Sequence, residues 1–307
     1  MSIPDGRRVI WTDVAPRDGL QSWPGGPVPT GVKVRLIEGL LAAGAPRVEA
    51  VAMVSPRAVP LMADAPQVLE ALGPGPLPRL RALIPNPRGL ERALERGITE
   101  VLVTVGATDA FNRRNVNRDV ERSLAELGGI VTGAHAAGCR VDVALSVVFG
   151  CPYEGRVDPG RVVALCARIA EMGADEVGVA DTIGVATPAQ VRDVLARVMA
   201  EVPADRLSCH FHDTRGLGVA NVLTAFHAGV GRFDGSAGGI GGCPFAPRST
   251  GNVCSEDSLL ALAAEGAEVG VDLAAYCEVS RRLAADLGVD ALPGRLHRAG
   301  IWDPAQP

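Results

Sequence analysis

Eight short runs dense in Val, Ala, Ile and Leu, each followed by a longer stretch, set the tightest limit on how this chain can fold. The runs lie at 9–16, 47–55, 80–85, 100–107, 140–148, 175–181, 206–214 and 232–238. Most do not alternate apolar with polar residues. They read as strands buried on both faces, which is the habit of a parallel sheet. Between them, 31–43 carries Val34, Ile37, Leu40 and Leu41 at helical spacing, and 119–137 and 159–172 are similar. Thr187-Pro188 opens a further helix, with proline in the first turn where its missing N–H is not needed. Eight strand–helix units close into a barrel more simply than they form an open sheet. The expected fold is therefore α/β, a (β/α)8 or TIM barrel, with extra C-terminal helices from about residue 253. The 307 residues exceed an average domain, but barrels of about 250 residues fold as one unit. A single domain over 1–307 is expected, with 73–78 (GPGPLP) a loop and not a linker.

Composition removes several classes of function. A net charge of -5 lacks the clustered basic surplus of a nucleic-acid binder. No stretch of about 18 unbroken apolar residues is present, so no membrane span is expected. Residues 1–13 lack the pattern of a signal peptide. Seven cysteines without a CxxC pair read as reduced thiols, which points to the cytoplasm. Most of them read as small buried hydrophobes.

In a barrel of this kind the chemistry sits at the C-terminal ends of the strands. The seventh run ends in His210-Phe211-His212-Asp213-Thr214. Residues two apart in a strand share a face, with Cα atoms roughly 6.5–7 Å apart, so both imidazoles can converge on one metal ion. Without a metal they are two polar residues capping a strand. Inside a barrel both need partners, and a metal serves both. Arg17 and Asp18 sit at the mouth of the first strand. Arg-Asp-Gly alone is a common turn. In a closed barrel, however, the first strand lies beside the eighth and the eighth beside the seventh, so Asp18 can face the same ion. After the eighth run, 238–252 reads GGIGGCPFAPRSTGN. Its glycines permit close backbone approach, its spacing fits no P-loop, and Cys243 lies in its middle.

The segments DVAPRDGLQ (13–21), VEAVAMVSP (48–56), FGCPYEGR (149–156), DTIGVATP (181–188), HFHDTRG (210–216) and GGCPFAPRSTGNVCSED (241–257) span nearly the whole chain. Together and in this order they resemble the hydroxymethylglutaryl-CoA lyases. That resemblance implies a TIM barrel with a divalent metal at its C-terminal face, held by Asp18, His210, His212 and Asn252. It implies that Arg17 faces the thioester carbonyl and that Glu49 is a supporting carboxylate beside the metal. Cys243 would be the thiol of the glycine-rich loop, and Asp181 a strand-end aspartate near the site. The implied reaction is a retro-Claisen cleavage of a tertiary 3-hydroxyacyl-CoA into acetyl-CoA and a keto acid.

These residue types suit that chemistry. A mixed nitrogen and oxygen donor set suits Mg2+ or Mn2+ better than a thiolate-rich zinc site does. Arg17 offers a permanently charged, rigid fork to an enolate oxygen. A thiol such as Cys243, with a reference pKa of about 8.5, is a plausible proton donor near working pH. Coenzyme A carries phosphates, and the segment 111–117 puts Asn112, Arg113 and Arg114 forward as its contacts. The partner is then a small acyl-CoA, with a homodimer or higher homo-oligomer as the expected assembly.

Three departures bear on the acyl group. Ser22-Trp23-Pro24 follows the RDGLQ segment where the family usually has Asn, Glu and a basic or Pro residue. Val51, Ala52 and Met53 stand where the family often has Thr, Ser and Phe, removing two hydroxyls. Arg248 stands where a glycine is common. The expectation is conserved metal chemistry with an altered acyl group. A Claisen condensing enzyme or a 4-hydroxy-2-oxoacid aldolase shares the Arg-Asp and HxH elements, but the Cys243 loop and the short chain favour the lyase. Barrel hydrolases place HxH on the first strand and need more histidines than these five provide. A binding protein that has lost catalysis is not favoured, because every polar group carried over from the family is present.

Overall fold

The computed structural model describes residues 7–242 and 251–302. Eight parallel strands close into a barrel in chain order: β1 (Ile10–Asp13), β2 (Arg47–Ala52), β3 (Leu80–Leu83), β4 (Glu100–Gly106), β5 (Arg140–Ser146), β6 (Glu176–Asp181), β7 (Leu207–Phe211) and β8 (Arg232–Gly235). Pairing of β1 with β8, Ile10 opposite Arg232 through Asp13 opposite Gly235, completes the ring. The helices are α1 (Thr30–Ala42), α2 (Ala65–Leu72), α3 (Pro87–Glu95), α4 (Asp109–Val116), α5 (Val120–Ala136), α6 (Pro159–Glu171), α7 (Pro188–Val198), α8 (Gly218–Ala228), α9 (Ser255–Ala264), α10 (Leu273–Asp286) and α11 (Leu296–Ala299). None is long and apolar enough to cross a membrane.

Local chemistry starts several helices where the sequence places them. Asn86, Thr108, Asp119, Asp158 and Asp272 each cap a helix by accepting a backbone N–H. Thr187 forms a full capping box with Gln190, and Pro188 follows at the first helical position. After β8, α9 packs against α8, while α10 lies between α9 and α1 and so completes the outer ring.

Each expected strand is present, but several stop short of the expected end. β1 stops at Asp13, whose Oδ1 accepts the Ala15 N–H at 2.9 Å. The chain then winds into a single π-type turn, Ala15–Gly19, with N–H groups reaching back five residues from Gly19 to Val14 and from Leu20 to Ala15. Such turns often occur at functional sites, and this one brings Arg17 and Asp18 to the barrel mouth. Gly19 is required there, because a Cβ would lie 2.7 Å from Ile240 in the loop after β8.

The barrel interior is charged, which the apolar look of the strands did not suggest. Arg47 meets Glu100, Asp142 at 2.9 Å and Glu176 at 3.1 Å. Arg81 meets Glu49, Asp142 and Asp234. Burial, reinforced by the neighbouring Glu176 charge, pushes Asp142 well above the usual carboxylate range. Large apolar side chains fill the layer between strands and helices, where Trp11, Phe211, Phe226 and Phe233 are all fully buried.

Candidate active site

Three segments bring polar groups together at the C-terminal mouth. The π-type turn supplies Arg17 and Asp18, β7 and its end supply His210 and His212, and the segment entering α9 supplies Asn252. The ligand atoms of Asp18, His210 and His212 all lie within 4.8 Å of one another. The two Nε2 atoms face each other at 3.1 Å. Asn252 is held beside them by backbone pairing, as an antiparallel bridge opposite His212 flanked by Val253 N–H to Phe211 O at 2.9 Å. Its amide Nδ2 donates to Asp18 Oδ2 at 2.8 Å and to Ile240 O at 3.1 Å. Gly241, at φ 126°, leaves room for that amide, since a Cβ there would lie 2.5 Å from Nδ2.

Three observations show that these residues fit a divalent cation. Asn252 Oδ1 is buried and finds no hydrogen-bond donor among the described residues, a costly state for a carbonyl oxygen unless a ligand completes it. An octahedral ion with bonds of about 2.1 Å spaces neighbouring ligand atoms about 3.0 Å apart, close to the imidazole separation. The donor set is one carboxylate, one amide oxygen and two imidazoles, which is hard enough for Mg2+ or Mn2+.

Electrostatics prepare the ligands. Burial alone would raise Asp18, but the Arg17 guanidinium, followed by the imidazoles, holds it below the usual carboxylate range. Burial and the neighbouring His210 push His212 down to about 3, so it stays neutral. Burial also works against a charged His210, but Asp234 and Asp18 outweigh it and raise its pKa. Asp234 Oδ2 lies 3.6 Å from His210 Nδ1 and so turns Nε2 toward the cluster.

Arg17 is fixed at two points. Its Nε donates to Glu49 Oε1 and its Nη1 to Asp18 Oδ1. Among the described residues no hydrogen bond takes its other terminal nitrogen. Gln21 adds a third hydrogen bond to Asp18 at 2.7 Å.

The other expected site residues lie around this cluster or outside it. Glu49 is placed as a supporting carboxylate that braces Arg17 beside the cluster. It is fully buried on β2, and both its oxygens are taken by guanidinium groups, Oε1 by Arg17 and Oε2 by Arg81. Asp181 ends β6 and spends both oxygens on the Val185 and Ala186 amides at 2.9 and 3.0 Å, and burial pushes it up to about 6. Asn112 faces inward: Oδ1 accepts the Gly106 N–H, and Nδ2 donates to Arg118 O, Asp119 O and Ser123 Oγ. Its amide therefore has no N–H left for coenzyme A. Arg113 and Arg114 are exposed on α4 at the same rim, Arg114 stacking over Tyr153 at 4.2 Å. Cys243 and Arg248 lie outside the described residues.

The sequence reading missed Arg81 and Asp234. Arg81 was visible as an isolated charge in an otherwise apolar run, and Asp234 as a carboxylate in strand period with Arg232.

A closed (β/α)8 barrel with a carboxylate, two imidazoles and an amide at its mouth, and an arginine braced beside them, defines a metal-binding barrel enzyme. Comparison with known proteins specifies which. The HMGL-like family matches residues 8–283, and the chain belongs to that family as a carbon–carbon lyase. It is 40% identical over 288 residues to a 3-hydroxy-3-isohexenylglutaryl-CoA/hydroxy-methylglutaryl-CoA lyase of Pseudomonas aeruginosa, covering 94% of this chain and 95% of that protein. It is 40% identical over 302 residues to an (R)-citramalyl-CoA lyase of Chloroflexus aurantiacus, covering 95% of each. An HMG-CoA lyase of Acinetobacter baumannii, solved with coenzyme A and 3-methylmalate, superposes with a TM-score of 0.91 at 35% identity, covering 98% of this chain and 97% of that one.

Proposed function

We propose that this chain cleaves a tertiary 3-hydroxyacyl-CoA between C2 and C3, releasing acetyl-CoA and a keto acid. The observation that carries this reading is the convergence of Asp18, His210 and His212, with the unpartnered buried Oδ1 of Asn252 carried on the residue that bonds Asp18 and with Arg17 braced alongside. Those four residues would hold Mg2+ or Mn2+. Bound there, the cation supplies a Lewis acid that lowers the pKa of the substrate hydroxyl.

The chain's own groups do the rest. The C3 hydroxyl gives up its proton to a water molecule acting as base, its oxygen closes the ketone C=O at C3, and the electron pair of the breaking C2–C3 bond passes into the thioester as an enolate. The free terminal nitrogen of Arg17 points its charge at the enolate oxygen. Glu49 and Asp18 fix the guanidinium in advance, so little reorganisation is needed at the moment of bond cleavage. Cys243 is assigned the return of a proton to C2, a role suited to an acid of pKa about 8.5.

The acyl pocket supports a less polar substituent at C3. Within the strands, Leu83, Thr104 and Ala144 stay partly open to the barrel cup, as His210 does. Ala52, paired with Leu83, replaces a family hydroxyl. One hydroxyl, on Thr104, remains among them. The Pseudomonas relative, whose name includes an isohexenyl substrate, agrees with a roomy apolar pocket. A panel of 3-hydroxyacyl-CoAs varying at C3, incubated with Mg2+ or Mn2+ and analysed by mass spectrometry, tests both parts. Acetyl-CoA should be released, with kcat/KM rising about tenfold or more as the C3 substituent grows by an apolar carbon. Preferred cleavage of hydroxymethylglutaryl-CoA would refute the altered pocket. Consumption of acetyl-CoA, or no cleavage of any member, would refute the lyase reading.

A further inference from the structure

We infer that Arg81 is a positioning residue that ties the two halves of the active site to one guanidinium. The inference rests on the metal-site reading above and extends it to a residue outside the mouth. Arg81 sits on β3, is 1% exposed, and touches neither Arg17 nor the histidines directly. Its Nε donates to Glu49 Oε2 at 2.8 Å. Its Nη2 lies 2.7 Å from the same oxygen and donates to Asp234 Oδ2 at 3.0 Å. A single nitrogen is thus shared by two carboxylates that face different groups. Glu49 holds Arg17 by Nε. Asp234 faces Nδ1 of His210.

The geometry makes the two branches interdependent. Pulling Arg81 toward Glu49 loosens Asp234, and with it the orientation of His210. Pulling it toward Asp234 frees Glu49 and lets Arg17 swing. Lysine cannot replace it, because an ammonium is a point charge and lacks the planar fork that meets both carboxylates at once. The third contact, Nη1 to Asp142 at 3.3 Å, points away from the mouth and serves the buried charge below.

The experiment compares wild type with Arg81→Lys, Glu49→Gln, Asp234→Asn and the Glu49→Gln/Asp234→Asn double variant. Mn2+ affinity is read by electron paramagnetic resonance of the free ion, kcat and KM at saturating Mn2+, and folding by thermal melting. Arg81→Lys keeps the buried charge and should melt near wild type. Its Mn2+ affinity and its kcat should each fall about 10–100-fold, the range for losing an outer partner of a ligand, with KM changing less. The double variant should be less impaired in kcat than the product of its single variants, because both act through Arg81. That cycle decides the matter even if Arg81→Lys does not fold. Wild-type Mn2+ affinity and kcat in folded Arg81→Lys, or strictly multiplicative effects in the double variant, would overturn the inference and leave the metal site standing. A wild-type chain that binds no Mn2+ would overturn both.

Discussion

His212→Ala should lower kcat at saturating Mn2+ by about a thousandfold or more, while the protein melts close to wild type. A bound cation contributes several kcal/mol to transition-state charge stabilisation, and each 1.36 kcal/mol is tenfold in rate. Loss of one imidazole would remove one of the four side chains that would hold the ion and so weaken its hold. The folding cost is small for an identifiable reason. His212 is kept neutral, by burial and by the neighbouring His210, down to about pH 3, so alanine strands no buried charge. Steady-state kinetics with melting curves check this. A variant with wild-type kcat would show that the imidazole pair is structural.

The second large effect belongs to Arg17. Arg17→Lys should reduce kcat by about 10²–10³-fold, the usual loss for one preorganised donor at a developing oxyanion, with a smaller change in KM. The charge survives this substitution, so the loss isolates the fork. An ammonium gathers its three donors on one nitrogen, so it lacks the spread of the fork that reaches Glu49 from Nε and Asp18 from Nη1 while leaving a third nitrogen for substrate. Arg17→Met should fare worse, because Glu49 and Asp18 then face each other across a buried site with their shared cation gone. Equal losses in kcat and kcat/KM for Arg17→Lys fit a contact made in the transition state. A rise in KM alone would instead make Arg17 a binding residue.

The barrel was legible because strands buried on both faces write their pattern directly into the sequence, and each of the eight runs became a strand. Their ends were less legible. Residues 14–16 continue the apolar pattern and 212–214 extend the HxH period, but Asp13 turns the chain at the first and pairing with 251–253 captures the second. His210, His212 and Asp18 could be argued from strand period and barrel closure. Asn252 could not, because its place depends on the chain returning to bridge His212, a long-range pairing without local sequence signal. Glu49 was expected beside the metal from family resemblance. That it takes this place through Arg17, with its other oxygen on Arg81, was not legible, because the pairing spans separate strands. Asn112 looked like part of a solvated, basic helix entry, but its side chain turns inward to hold the start of α5.

Anomalous diffraction from crystals soaked with Mn2+ tests the central claim most directly. One strong peak is predicted, at about 2.0–2.3 Å from His210 Nε2, His212 Nε2, an Asp18 oxygen and Asn252 Oδ1. Strong Mn2+ signal elsewhere, with the two imidazoles still facing each other at hydrogen-bond distance and Asn252 Oδ1 still alone, would contradict it.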